Sequence, residues 1–151
     1  MRTLGNILWH FPFFGFISAL LVCITGLLFL VTVIGAPIGL GLIQLSKFLL
    51  SPFSSAMVCQ SELNVEQNEL WKTFGLIVRI LYFPFGLFFA AIAIIQIMFL
   101  FISIVGIPVA LVVAKSLGTY FNPVNKVCVP AAVASELERR KAQEQVDKHL
   151  R

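Results

Sequence analysis

Two uninterrupted runs without a charged residue dominate the chain, "GFISALLVCITGLLFLVTVI" over residues 15–34 and "GLFFAAIAIIQIMFLFISIV" over residues 86–105. Each has 20 residues, the length at which an α-helix covers about 30 Å of hydrocarbon. Each also holds 13 residues of the Leu, Ile, Phe and Val type, which favours insertion by about 4–8 kcal/mol before other terms. Inside a bilayer a single spanning segment satisfies its own backbone donors and acceptors only as a helix. An all-α integral membrane protein is therefore expected. Hydrophobic residues make up 59% of the 151-residue chain and charged residues 12%, which excludes an ordinary soluble domain of this size. Arg2 precedes the first run as it would in a secretory signal, but 20 apolar residues exceed the usual apolar region of a signal, so the run reads as uncleaved.

The runs end in the same punctuation. Gly35 and Pro37 superpose on Gly106 and Pro108 at an offset of 71 residues, and Pro52 superposes on Pro123 at that offset. Upstream, Gly15 lies over Gly86, "HFPFFG" reads against "YFPFG" with one residue of slippage, and "RTLG" at Arg2 answers "KTFG" at Lys72. The chain thus reads as two direct membrane repeats, 1–59 and 71–130, with a polar linker at 60–70 and a polar tail at 131–151. Each repeat is expected to carry a long span (15–34, 86–105), a Gly-x-Pro break, and a short amphipathic or re-entrant helix (37–51, 108–122). Pro suits the first turn of a new helix, and Gly relaxes the backbone before it.

The polar residues of the short helices fall in stripes. Gln44, Lys47 and Ser51 follow i, i+3, i+7, while Lys115, Thr119 and Asn122 follow i, i+4, i+7. Such a helix lies in the interface, dips into the bilayer, or lines a polar path. The small residues Gly39, Gly41 and Ala114 would let neighbouring backbones approach, which points to a homo-oligomer. In the linker, Asn64 and Gln67 read as a helix cap. The helix it opens would run to Phe83, with Asn68, Lys72, Gly75 and Arg79 on one face and Trp71 and Tyr82 anchored at headgroups. The tail reads as a solvated helix, with Glu136–Arg140, Glu144–Lys148 and Asp147–Arg151 as i, i+4 pairs. A partner protein docking on that tail is a further expectation.

Two topologies are open. If each repeat crosses once, Lys47, Lys72 and Arg79 lie opposite Arg2 and the remaining basic residues. If each repeat is a hairpin, nearly all 11 basic residues face the cytoplasm, as the positive-inside rule prefers. Both place the tail in the cytoplasm. The net charge of +4 fits topology rather than nucleic-acid binding.

The opening "RTLGNILW", the span ending in Gly-x-Pro, and "IVGIPVALVVAK" followed by "NPVNKVCV" together resemble the YccF family of bacterial inner-membrane proteins. Ala110 and Val124 stand where that family usually shows glycine. The resemblance implies a multi-pass protein of the bacterial inner membrane with a duplicated domain, and no reaction.

Chemical motifs are missing from the sequence. It has no phosphate loop, GxSxG, HExxH or cysteine cluster, so neither enzyme activity, nor a metal, nor a cofactor is expected. Of the two histidines, His10 sits among aromatics and reads as an interfacial side chain bonded to backbone or headgroup. Two functions remain. In one, an oligomeric, channel-like component passes small anions along Gln44, Lys47, Lys115, Thr119 and Asn122. In the other, a non-transporting scaffold binds lipid or partner proteins, its lysines reaching anionic headgroups.

Overall fold

The computed structural model describes residues 2–11, 13–63 and 69–150. Among them the chain forms α1 (Arg2–His10), α2 (Gly15–Val31), α3 (Ala36–Leu50), β1 (Ser55–Cys59), α4 (Glu69–Ile102), α5 (Ile107–Ala114), α6 (Leu117–Phe121), β2 (Lys126–Pro130) and α7 (Ala131–His149). Short 3-10 turns at Gln60–Leu63 and Ile104–Gly106 precede α4 and α5. The Asn64–Gln67 cap, Asn68, the side chains of Leu70, Trp71 and Lys72, and the Asp147–Arg151 pair lie outside the described residues.

The helices α2 and α3 form an antiparallel pair whose closeness depends on glycine. A Cβ on Gly39 would stand 2.6 Å from the Gly26 carbonyl oxygen and 2.7 Å from the Leu30 nitrogen. A side chain at either position would wedge the helices apart. Gly39 and Gly41, expected to serve contacts between copies, are used within the chain: Gly41 lies against the Pro123 carbonyl.

One continuous α4 replaces the separate surface helix and span expected on either side of Phe83. Its buried positions, Gly75, Val78, Tyr82, Gly86, Ala90, Ala93, Ile97 and Leu100, recur every three or four residues and pass through Pro84 without interruption. Proline removes one backbone donor, yet the packed stripe on both sides holds the helix together. In the first half, by contrast, "HFPFFG" has one residue more, and Phe14 takes a left-handed conformation (φ 50°, ψ 38°). There the chain bends by 80° between α1 and α2. Tyr82 is 1% exposed and packs edge-on against Phe29, with ring centroids 6.0 Å apart. It is a core residue, contrary to the headgroup anchor expected. Gly75 is buried too, against Val124, while Arg79 is exposed, so the face expected to be polar is split.

The short helix expected at 108–122 is interrupted at Lys115–Ser116. Ser116 donates from both its nitrogen (2.9 Å) and its hydroxyl (2.7 Å) to the Val113 carbonyl, a local competition that serine offers to helical bonding.

The two strands were not anticipated. β1 and β2 pair antiparallel, Ser55 opposite Pro130, Met57 opposite Cys128 and Cys59 opposite Lys126. Alternation sends Met57 and Cys128 toward the helical core, and Ala56, Val58, Val127 and Val129 toward Ala134 and Leu137 of α7. The ladder is thus a two-faced layer between the helices and the tail.

Candidate functional site

The last carbonyls of an α-helix have no partner within it. At the end of α3 they are taken by α1: Trp9 Nε1 donates to the Leu49 carbonyl (2.7 Å) and His10 Nε2 to the Leu50 carbonyl (2.8 Å). Asn6 holds the loop that follows, donating to Ser54 Oγ and accepting from the Phe53 nitrogen, both at 3.1 Å. Gly5 lets the Phe53 ring close over α1. The segment "RTLGNILWH" is therefore a clamp on a helix terminus 40 residues away. Its signal in the sequence was the clustering of Asn6, Trp9 and His10 on so short a helix.

The break residues lie where the helices turn. Pro37 and Pro108 occupy the first turns of α3 and α5. Gly35 (φ −82°, ψ −5°) and Gly106 (φ −79°, ψ −17°) have ordinary helical backbone, so relaxed torsion does not explain them. Space does: a Cβ on Gly35 would stand 2.7 Å from the Phe29 carbonyl, and one on Gly106 would overlap the Leu100 carbonyl.

The polar stripe residues are dispersed. Gln44 Oε1 accepts from the Cys128 nitrogen at 3.3 Å, tying α3 to β2. Lys47 is exposed beside that junction. Burial pushes the Cys128 thiol up, opposed by the Ser55 hydroxyl and the Lys47 ammonium. Lys115 is exposed at the α5–α6 break, Thr119 is buried, and Asn122 is half-buried with an unpartnered, enclosed Oδ1. Lys115 borders a cavity of about 530 Å³ roofed by α7, whose walls include none of the other five stripe residues.

Two further polar contacts escaped the sequence reading. Gln96 Nε2, in the middle of the second apolar run, donates to Ser18 Oγ of α2 at 3.0 Å, beside a small apolar cavity of about 140 Å³. A lone amide in an uncharged run was its signal, since a buried amide needs a partner. Lys141 of α7 pairs with Glu62 at 2.8 Å, joining the tail to the turn after β1. The expected Glu136–Arg140 and Glu144–Lys148 pairs form at 3.3 and 3.2 Å. Among the described residues, no three His, Cys, Asp or Glu side chains gather as a metal site requires.

No curated protein and no solved structure matches the chain. The resemblance carried by "RTLGNILW" and the first Gly-x-Pro block is shown directly: residues 4–55, from the clamp through both arms of the α2–α3 pair to the start of β1, match the family model of the inner membrane component domain YccF.

Proposed function

We propose that the protein is a non-transporting inner-membrane component, built as two copies of one unit, each a helical hairpin entering the bilayer from the cytoplasmic face. The observation that carries this is the ladder. β1 follows the first helix pair and β2 follows the second, and paired strands cannot lie on opposite sides of a membrane. The second hairpin therefore begins and ends on one side, and the bonds from α1 to the end of α3 bring the two ends of the first together. Lys47, Arg79, Lys115, Lys126 and the basic residues of the tail lie toward that same end, which makes it cytoplasmic by the positive-inside rule.

Exposure supports insertion. Only 28% of the most apolar 18-residue stretch of α4 is buried, whereas the core helix of a soluble protein would be largely covered. Leu28, Phe88, Met98 and Phe99 stand more than 60% exposed, a belt too apolar for water. The hairpin tips are apolar as well: Val31, Val33, Ile102 and Ile104 are 79–86% exposed. Their turns bond internally, Gly35 N to Thr32 O at 3.0 Å and Gly106 N to Ser103 O at 2.8 Å, as a turn near hydrocarbon must.

Duplication is supported by the register. Met57 pairs with Cys128, and these two positions are related by the 71-residue offset. The rung Ala56–Val129 maps by that offset onto Val58–Val127. The ladder is thus self-complementary under exchange of the two units. Likewise Gly5 packs on Phe53 and Gly75 on Val124.

The platform of ladder and α7 is what such a protein presents to the cytoplasm, and holding lipid or partners there is its proposed role. Two measurements test it. Cys59-only and Cys128-only variants in intact cells should both resist a membrane-impermeant thiol reagent and both react after lysis; labelling of one alone before lysis overturns the hairpins. Folded protein in liposomes should pass no chloride above empty vesicles. Flux that falls in Lys47→Gln and Lys115→Gln would instead favour the anion path, assembled from several copies.

A further inference from the structure

The two halves differ most where the short helices meet the strands. On one side Gly41 lets α3 touch Pro123, and Gln44 reaches the Cys128 nitrogen. At the offset of 71 residues Val112 stands for Gly41, Lys115 for Gln44 and Pro52 for Pro123. The bulkier valine is accompanied by the 530 Å³ cavity, within the range of about 300–1,000 Å³ typical of small-molecule sites. Lys115 thus borders an open space where Gln44 closes a junction.

The walls of this cavity are chemically divided. Phe53, Met57 and Val112 make an apolar side, while Lys115 from the α5–α6 break and Glu138 from α7 bring opposite charges to its lining. Among the described residues neither forms an ion pair. Ser55, on the same wall, has a hydroxyl that meets Ser51 at 3.0 Å and also faces the Cys128 thiol. Given the hairpin topology proposed above, on which this inference rests, the cavity lies where the helices meet the cytoplasmic layer, at headgroup depth.

We propose that this cavity binds the headgroup of a zwitterionic phospholipid, its phosphate against Lys115 and Ser55 and its primary ammonium against Glu138. Opposite charges left unpaired in one cavity complement a ligand carrying both signs, and the apolar wall suits the start of its acyl chains. A purely anionic headgroup would meet Glu138 as a like charge.

Native mass spectrometry of the full-length protein in detergent tests this with three probes: dioleoyl phosphatidylethanolamine, dioleoyl phosphatidylglycerol and soluble glycerophosphoethanolamine. The ethanolamine lipid should bind best. Glu138→Gln should weaken it about tenfold, the scale of one charge-assisted hydrogen bond, without weakening the glycerol lipid, while Lys115→Gln should weaken both. Both side chains are exposed, so the variants should keep their helical circular dichroism. Equal binding of the two lipids, indifferent to Glu138→Gln, overturns the zwitterionic site. Binding of the soluble headgroup as tightly as the lipid overturns a membrane occupant, and no adduct on folded protein overturns both. Detergent has no sides, so these outcomes are independent of the thiol labelling that tests topology.

Discussion

Gly41→Val places at the close approach of α3 to the turn before β2 the residue found 71 positions later, Val112. A Cβ there would overlap the Pro123 carbonyl oxygen and stand 2.9 Å from the proline Cβ. The obstacle is mostly backbone, so relief requires moving the turn at Pro123, which leads into β2, away from α3, and overpacking of this kind costs about 1–3 kcal/mol. With backbone as the obstacle the upper half of that range applies. Against it stands a gain in helix propensity over glycine of about 0.3 kcal/mol, leaving a net loss of about 2–3 kcal/mol. Gly118→Ala is the control: nothing lies within 4 Å of a Cβ at that position, and the change should gain up to about 1 kcal/mol of helix propensity. At about 2–4 °C per kcal/mol for a chain of this size, the two variants should differ by about 4–16 °C in detergent melting. A second readout is the half-buried Cys128 thiol, which should react faster in Gly41→Val as the bond from its nitrogen to Gln44 opens. Coincident melting of the two variants with unchanged Cys128 reactivity would refute the tight α3–β2 junction, and with it the contrast that leaves a cavity only on the other side.

Trp9→Phe should cost about 1–3 kcal/mol by stranding the Leu49 carbonyl, seen as a lower melting temperature; no loss would show that α1 does not clamp α3. Gly106→Val should reduce yield and melting temperature far more than Pro108→Ala, because the glycine is needed for space beside Leu100 while the proline only opens a helix; comparable losses would contradict this. The Glu136 carboxyl is held below its usual range by its hydrogen bond to Arg140 and then by the charge of Arg139. A depressed folded value means its contribution is present above the unfolded carboxylate range and fades as pH falls through the folded value. Carboxyl titration by NMR should find Glu136 moving up toward the ordinary value in Arg140→Gln, and an unchanged titration would dismiss the pair.

The apolar runs could be read from sequence because hydrocarbon imposes length and composition on any helix within it. The start of α3 could be read because Pro37, just after Gly35, suits a first turn. The fate of the "FPFG" motifs could not. One extra residue before Gly15 and a left-handed Phe14 break the helix at the first motif, while at the second the stripe Val78, Tyr82, Gly86, Ala90 carries the helix through Pro84, a packing effect invisible locally. The strands were hidden for a related reason: "SAMVC" and "KVCVP" have little strand character alone and become strands by pairing across 71 residues. Separation along the chain also concealed the clamp, in which Trp9 serves Leu49, 40 residues away. Of the candidate site, the sequence supplied Lys115 but not its setting, since Glu138 reaches the cavity only by the fold of α7 over the ladder.

The self-complementary ladder also sets a clock on biosynthesis. The 71 residues from Ser55 to Lys126 take about 4–14 s to make at about 5–20 residues per second. Through that interval β1 has no β2 to pair with, and an unpaired strand edge is a standing invitation to another strand. Because Met57 sits at the centre of exchange, two nascent first halves on neighbouring ribosomes could meet through the same rungs, Met57 opposite Met57, in an isologous pair. Arrival of β2 on the same chain closes that route, so under the proposed duplication the second strand acts as a tethered competitor that keeps β1 from pairing with its neighbours.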